Sequence, residues 1–173
     1  MIVVDASVLA NVVGDDGSTG KSARQRLLGA GDASVPDLAD VETVAVLRKR
    51  WLAGTLPTKR FRQAVEDLTS LPMTRYPTGR LLHRTYELRS NVTAYDATYI
   101  ALAEVLACTL LTADVRLSRA ARIRCNVEVF TLELTGHPEG PSGGPLRADD
   151  LERSTGDTRP KRPRIAGPIS SRR

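Results

Sequence analysis

Four carboxylates occupy positions where their spacing and surroundings suggest chemistry. Asp5 directly follows the apolar run Ile2–Val4, and Asp114 comes two residues after another short apolar run, TLLT. Glu42 lies at the margin of an apolar helical stripe, and Asp96 begins a helix that is apolar nearly all round. Four ionised acids that meet need cations between them. With oxygen ligands and only two histidines in the chain, Mg²⁺ or Mn²⁺ is favoured, and either suits phosphodiester hydrolysis by a metal-activated water.

Each acid also has a purely structural interpretation. Asp5 would cap the helix that follows it, and Asp114 would cap the helix predicted at residues 115–122. Asp96 would form a capping box with Thr93, and Glu42 would pair with Lys49 two turns along its helix. The positions of the acids taken together favour a site, because ligands of open α/β sheets gather beyond the carboxyl ends of the strands. All four acids can converge at that rim.

Short apolar segments alternate with helical patterns along residues 1–135. This alternation predicts an α/β fold with a mostly parallel sheet covered by helices on both faces. The predicted strands are residues 2–4, 33–35, 72–76 (a connector or edge strand), 109–111 and 127–132. The predicted helices are residues 6–13, 21–28, 38–53, 57–71, 78–89, 94–107 and 115–122, with 14–20 as a loop.

The helix predicted at residues 38–53 carries Glu42 beside its apolar stripe. Four residues at helical spacing are expected to form that stripe: Leu38, Val41, Ala45 and Leu52. Together with the next helix, residues 57–71, it would form a helical hairpin. Beyond residue 135 the periodic pattern ends, and residues 136–173 are rich in Pro, Gly, Ser and Arg. This tail is predicted to be disordered, because it offers too little apolar surface to offset chain entropy.

The rest of the composition narrows the class of protein. Cys108 and Cys125 are not spaced as a metal-binding pair and are predicted to be small buried hydrophobes in a reducing compartment. His83 and His137 are the only histidines, which argues against zinc sites and Ser-His-Asp catalysis. No apolar run reaches the ~18 residues of a membrane span, and the N-terminus lacks the basic region of a signal peptide. A cytoplasmic protein is therefore expected.

Four segments in this order resemble the PIN-domain ribonucleases, closest to the VapC-type toxins of bacterial toxin–antitoxin pairs. They read IVVDASVLA, DVETVAVLRKR, YDATYIALAE and LLTADVRLSRAA, and the resemblance covers about residues 1–132. It implies a central parallel sheet of four or five strands, helices on both sides, and Mg²⁺- or Mn²⁺-dependent endoribonuclease action. Residue by residue, it also implies catalytic metal ligands flanked by the hydroxyls of Ser7 and Thr112: Asp5, Glu42, Asp96 and Asp114.

The same resemblance implies partners. It implies a homodimer silenced by a VapB-type antitoxin, with DNA reached only through that antitoxin. The hairpin with Trp51 and Phe61 is a candidate antitoxin surface, although the two aromatic rings would equally well pack the hairpin itself. A basic run in the tail, RPKRPR at residues 159–164, is a candidate for nonspecific RNA affinity. Four arginines are candidates for holding RNA phosphates around the acids: Arg84, Arg89, Arg116 and Arg119.

Three alternatives stay open at this point. The protein would act mainly as an antitoxin-binding module in a DNA-bound autorepressor, or as a housekeeping RNA-processing nuclease. A phosphorylated receiver-like domain is the third, since it too is α/β with acids at strand ends. A receiver-like domain expects paired acids near the first strand and a lysine after a late strand. This chain has a single Asp5 there, and Arg116 and Arg119 where the lysine would be sought.

Overall fold

A computed structural model describes residues 1–131, which are organised around one parallel sheet. The sheet has five strands in the order β3-β2-β1-β4-β5, and every neighbouring pair is parallel. The strands are β1 (Ile2–Val4), β2 (Ala33–Pro36), β3 (Met73–Tyr76), β4 (Thr109–Thr112) and β5 (Val127–Val129). This confirms the predicted parallel α/β fold. The tail at residues 136–173 lies outside the described residues, so its predicted disorder stays a prediction.

The strand order places a crevice beside β1. From β1 the chain builds outward through β2 to β3, then returns to the other side of β1 with β4 and β5. β1 pairs with β4 along its whole length, with Val4 opposite Leu111. The carboxyl ends of these two adjacent strands therefore lie side by side where the winding direction reverses. Such a switch point is where open α/β sheets bind ligands.

Within residues 1–131, six of the seven predicted helices are present, and they form two groups. They are α1 (Ala6–Gly14), α2 (Ser18–Leu28), α3 (Leu38–Leu52), α4 (Thr58–Ser70), α5 (Leu82–Glu87) and α6 (Ala94–Val105). α1 packs against α2, α3 and α4, whereas α5 packs against α6, which also contacts β1, β2 and β4. Residues 97–103 of α6 are all buried. Because this helix is anchored on three strands, the residues at its first turn are held firmly. No helix within residues 1–131 is long and apolar enough to span a membrane.

The predicted apolar stripe of α3 was wrong. Val41 is 75% exposed and Leu52 is 60% exposed, while the buried side chains are Ala39, Thr43 and Leu47. The real stripe consists mostly of small residues, and small residues allow close approach to α1, which α3 contacts extensively. Because the polar residue Thr43 lies at the centre of this stripe, a search for apolar residues at helical spacing does not find the stripe. Glu42 nevertheless flanks the buried stripe.

Two local predictions also fail for identifiable reasons. Residues 14–20 are not wholly a loop, because α2 begins at Ser18. Gly20 belongs to its first turn, where a Cβ would lie 1.7 Å from the carbonyl oxygen of Asp15. The helix predicted at 115–122 is only the 3₁₀ turn Leu117–Arg119. Ala120 is extended and Arg122 adopts a positive φ of 62°, which prevents continuation.

Smaller shifts of element ends complete the comparison. The segment 78–89 divides into a 3₁₀ turn, Thr78–Leu81, and α5, which ends at Glu87. β5 stops at Val129, three residues before its predicted end. Met73–Tyr76 is indeed an edge strand. Cys108 and Cys125 are free thiols, but both are only partly buried.

Candidate active site

Asp5 stands at the junction of β1 and α1. Its backbone N–H donates to the carbonyl of Leu111 at 2.9 Å, which continues the β1–β4 pairing to this residue. One carboxylate oxygen accepts from the N–H of Ser7 at 2.7 Å, and the other accepts from the hydroxyl of Thr112 at 3.1 Å. Asp5 is thus the N-cap of α1 that the structural interpretation predicts. It is also a 7%-exposed acid fixed at the switch point of the sheet.

The surroundings of Asp5 favour its protonated form. Burial raises the pKa of the carboxyl group, and the nearby charge of Asp96 raises it further. Hydrogen bonds from Ser7 and Thr112 act in the opposite direction without cancelling the rise in pKa. Within residues 1–131 Asp5 has no ion-pair partner. A buried acid of this kind is stabilised in its charged form by a cation.

Glu42 projects from α3 towards α6. Its Oε2 accepts a hydrogen bond of 2.9 Å from the hydroxyl of Tyr99, which is 1% exposed. Burial raises the pKa of Glu42, and repulsion from Asp5 and Asp96 adds to the rise. Lys49 opposes it only weakly and forms no ion pair with Glu42 within the described residues. The structural alternative, an ion pair between Glu42 and Lys49, is therefore not observed among the described residues.

Asp96 lies in the first turn of α6, at the N-terminal end of the helix. Its N–H donates to the hydroxyl oxygen of the N-cap Thr93 at 3.2 Å, and Thr93 donates its proton to Asp96 Oδ2 at 2.8 Å. The capping interaction is therefore real. Even so, the Asp96 charge raises the pKa of both Asp5 and Glu42, so these three acids share one electrostatic neighbourhood. Capping and a site role coexist.

Asp114 follows β4 and is held differently. Both of its carboxylate oxygens accept from Arg116 Nε, at 3.0 and 2.9 Å, and the backbone N–H of Arg116 adds a bond of 2.8 Å. This ion pair lowers the pKa of Asp114. Arg116 is therefore already beside one of the four acids, and any metal ion at Asp114 has to compete with it.

Ser7 and Thr112 connect the site to the sheet. Ser7 Oγ accepts from the N–H of Ala113 at 3.0 Å, and Thr112 Oγ1 accepts from the N–H of Asp114 at 3.0 Å. Thr112 also donates to Asp5 and is fully buried. The two hydroxyls thus fasten the end of β4 to the start of α1. They lie at the site, and their observed contacts position the acids.

Asp5, Glu42 and Asp96 influence one another electrostatically, but the four acids do not close around a common point. Among residues 1–131, no three Asp, Glu, His or Cys side chains lie close enough together to enclose a metal ion as they stand. The donor chemistry nevertheless fits a hard divalent cation, since every available ligand atom is an oxygen. Asp5 and Glu42 form no ion pair within the described residues, and burial, with a further contribution from neighbouring acids, raises the pKa of each; a divalent ion would stabilise their charged forms.

Sequence reasoning missed the role of Tyr99 and the groove that Asp96 and Asp114 help to line. Tyr99 sits three residues after Asp96 in YDATYIALAE, and a tyrosine on a buried helical face needs a partner for its hydroxyl, which was the available signal. The groove has a volume of about 380 Å³ and is lined by residues 89–93, Asp96, Asp114, Arg116 and Leu117. Its lining residues lie at the two ends of the segment made of α6 and β4, where the sequence places Asp96 and Asp114, but the sequence does not indicate that a groove forms between these ends.

The α3–α4 hairpin shows the packing alternative for its aromatic pair. The rings of Trp51 and Phe61 lie 6.4 Å apart between centroids, and Trp51 Nε1 donates to the hydroxyl of Thr58 at 3.0 Å. Trp51 nevertheless remains 40% exposed. The hairpin therefore packs its own aromatics and still presents part of one to solvent.

Comparisons with protein families and with individual relatives agree on the family of this chain. The family model described as "PIN domain" matches residues 2–123. The chain is 42% identical over 129 residues to VapC ribonuclease Mb0985 of Mycobacterium bovis, covering 75% of this chain and 98% of that protein. It is 36% identical over 128 residues to Ribonuclease VapC1 of Mycobacterium tuberculosis, covering 73% and 96% of the two chains.

A solved structure shows the same fold. The crystal structure of Mycobacterium tuberculosis VapC20, described as a toxin that cleaves the sarcin-ricin loop, superposes with a TM-score of 0.54. The match covers 72% of this chain and 97% of that one, at 17% sequence identity. At this identity the likeness concerns the architecture alone.

Proposed function

The chain belongs to the PIN-domain family as a VapC-type ribonuclease toxin, and on that premise we propose that its catalytic centre is a Mg²⁺ or Mn²⁺ site. The proposed ligands are Asp5, Glu42, Asp96 and Asp114. The reaction is the hydrolysis of a phosphodiester bond in RNA. Ser7 and Thr112 are assigned positioning roles.

The observation that carries the proposal is the position of Asp5, a 7%-exposed acid at the switch point of the sheet whose two oxygens are both fixed by hydrogen bonds. It has no ion-pair partner within residues 1–131, and repulsion between neighbouring acids adds to the effect of burial. Asp5 and Asp96 each raise the pKa of Glu42, and Asp96 raises that of Asp5. A fold maintains such an arrangement at a cost in stability, and this cost is typical of functional sites. A divalent ion removes the repulsion, because its charge opposes all three carboxylates at once.

Each residue has a distinct part in the proposed site. The N–H of Ser7 and the hydroxyl of Thr112 fix both oxygens of Asp5, so this carboxylate is oriented before any ligand arrives. Tyr99 occupies Oε2 of Glu42 and leaves Oε1 without a hydrogen-bond donor among the described residues. When bound, the divalent ion supplies the charge that activates a water and stabilises the leaving oxygen.

RNA cleavage by the purified protein tests the proposal. Incubation with a structured RNA and Mg²⁺ or Mn²⁺ is expected to give discrete products, and EDTA is expected to stop the reaction. Asp96→Asn should abolish cleavage, whereas Glu66→Gln, at an exposed acid on α4, should leave it unchanged. Equal cleavage by the Asp96→Asn protein would refute the assigned site.

Direct metal binding tests the site independently of activity. Titration with Mn²⁺, followed by electron paramagnetic resonance, should show binding to the wild type that Asp5→Asn and Glu42→Gln each weaken by about tenfold or more. Glu66→Gln again serves as the matched control. Unaltered Mn²⁺ affinity in both site variants would place the metal elsewhere.

The partners are proposed from the family. An antitoxin of VapB type would bind over the acidic site, DNA would be reached only through it, and the toxin would be a homodimer acting on cytoplasmic RNA. Coexpression with the product of a small neighbouring gene should yield a stable complex that lacks ribonuclease activity. A complex that binds DNA while the isolated chain cleaves no RNA would instead favour the autorepressor role. Active enzyme without such a neighbouring gene would favour RNA processing. Membership of the PIN-domain family excludes the receiver-like alternative.

A further inference from the structure

The structure distinguishes among the four arginines that the sequence offers as phosphate ligands. The guanidinium of Arg84 donates hydrogen bonds of 2.7 and 3.0 Å to the carboxylate of Glu104 and one of 2.8 Å to that of Glu87. Arg116 is paired with Asp114. Both guanidinium charges are therefore already neutralised by carboxylates, which leaves two candidates to compare: Arg89 and Arg119.

Arg89 and Arg119 differ in where they lie. Arg89 lines the groove that also contains Asp96 and Asp114, whereas Arg119 lies on the 3₁₀ turn and does not line it. Among residues 1–131 Arg89 forms no ion pair with a carboxylate. It is thus the one uncompensated cation on the groove walls within the described residues.

Arg89 is also held in place before any ligand binds. Its guanidinium carbon lies 4.0 Å above the centroid of the Tyr86 ring, and its Nη1 donates to the carbonyl of Tyr86 at 3.0 Å. The ring of Tyr86 is 63% exposed. A cation–π contact of this kind reduces the rotamer freedom that a long side chain loses on binding. Arg89 is therefore a pre-oriented charge at a site open to solvent.

The groove itself has the charge pattern of a phosphate track beside a hydrolytic site. Two of the proposed metal ligands, Asp96 and Asp114, line the same cavity as Arg89. RNA phosphates are repelled by the acids and need a cation to hold the strand against them. A guanidinium can make two parallel hydrogen bonds to one phosphate, which fixes orientation as well as position.

We propose that Arg89, stacked on Tyr86, is a positioning residue that binds a phosphate of single-stranded RNA in the groove beside Asp96 and Asp114. The proposal rests on the ribonuclease function proposed above. It assigns RNA binding in the groove to a residue that takes no part in holding metal. Arg116, being paired with Asp114, is expected to contribute less than Arg89 to the initial capture of RNA.

The test measures RNA binding without cleavage. A fluorescein-labelled single-stranded RNA of twelve nucleotides is titrated with protein in EDTA, and fluorescence anisotropy is recorded over a series of KCl concentrations. Three groove variants are compared with the wild type: Arg89→Ala, Arg89→Lys and Tyr86→Leu. Arg62→Ala, at an exposed arginine on α4, loses the same charge outside the groove and is the matched control. Thermal melts confirm that each variant is folded.

The expected results separate a phosphate contact from a structural effect. Arg89→Ala should weaken binding about fivefold at low salt. It should also reduce the slope of log Kd against log salt by ~0.7, the value for one phosphate of a single strand. Arg89→Lys should restore the slope and only part of the affinity, because lysine keeps the charge but loses the planar fork. Tyr86→Leu should weaken binding with the slope kept. Arg62→Ala should match the wild type.

Two contrary outcomes carry different meanings. If the wild type binds RNA and Arg89→Ala keeps its salt slope, or Arg62→Ala changes the slope equally, the assignment of Arg89 is overturned while the ribonuclease proposal stands. If the wild type shows no salt-dependent RNA binding at all, the ribonuclease proposal loses its support together with this inference.

Discussion

The backbone conformation at the C-terminal end of α6 can be tested by substitution. Its last turn closes with two hydrogen bonds, from Cys108 N–H to the carbonyl of Ala103 at 3.0 Å and from Ala107 N–H to that of Glu104 at 3.2 Å. This is the Schellman motif, which requires a left-handed residue just after the C-cap Leu106 and is usually made by glycine. Here that residue is Ala107, with a φ of +49°.

The chain contains its own reference for this motif. α3 ends in the same pair of bonds, from Thr55 to Arg50 and from Gly54 to Trp51, each at 3.0 Å, and there the left-handed residue is Gly54, with φ +73°. Left-handed backbone costs a residue with a Cβ about 1–2 kcal/mol. Glycine has the disadvantage of a more flexible unfolded chain, about 0.5–1 kcal/mol. Ala107→Gly should therefore stabilise the protein by about 0.5–1 kcal/mol, and Gly54→Ala should destabilise it by a similar amount.

Thermal unfolding measures both changes. A stability change of this size corresponds to about 2–3 °C in Tm for a chain of this length, upward for Ala107→Gly and downward for Gly54→Ala. The two sites have no shared hydrogen-bond partner, so the double variant should melt close to the wild type. An Ala107→Gly protein that melts below the wild type would show that the helix end is not left-handed in solution, and would refute the reasoning.

Three further predictions concern charge and packing. Glu42→Gln should stabilise the metal-free protein at neutral pH, because burial and the repulsion from Asp5 and Asp96 penalise the charged form of Glu42. A raised acid pKa means that the folded state keeps its proton longer than the unfolded state, so stability from this group falls as pH rises above the ordinary glutamate pKa. The Tm advantage of Glu42→Gln should accordingly grow from pH 4 to pH 7, and an advantage that shrinks would contradict the assignment. Arg116→Ala should raise the pKa of Asp114, which Arg116 now lowers, and should tighten Mn²⁺ binding. A nuclear magnetic resonance titration of the Asp114 carboxylate measures the first effect, and a Mn²⁺ titration measures the second. Unaltered values of both would count against competition between Arg116 and a metal ion for Asp114. Gly20→Ala should destabilise the fold by roughly 2 kcal/mol or more, since its Cβ would collide with the backbone of Asp15. Denaturant unfolding measures this change, with Gly17→Ala as the control. Equal free energies of unfolding for the two variants would contradict the close packing at Gly20.

The parts of the fold that the sequence predicts well are those with one dominant signal. β1, β4 and α6 are apolar almost throughout, so their burial follows directly from composition. Asp5 and Asp114 were placed correctly because each follows such a strand. The proposed site inherits its geometry from these elements, and for that reason its acids could be listed from the sequence.

The parts that failed depend on contacts between distant segments. The face of α3 is set by its fit against α1, where Ala39 and Thr43 are small enough for close packing. Propensity could not reveal that, because Val41 is more apolar than Thr43 and yet faces solvent. The hydrogen bond from Tyr99 to Glu42 joins residues 57 positions apart, and no local sequence pattern predicts it.

The hydrogen bond from Thr112 to Asp5 joins residues 107 positions apart, and this separation has a consequence for synthesis of the protein. Asp5 leaves the ribosome 107 residues before Thr112, so β4 and the loop with Asp114 emerge late in the synthesis of this domain. A nascent or prematurely terminated chain that ends before residue 109 lacks β4, Thr112 and Asp114, and therefore lacks part of the proposed metal site. With the proposed ligands, the site of this VapC-type ribonuclease would be completed only when translation of its domain is nearly finished.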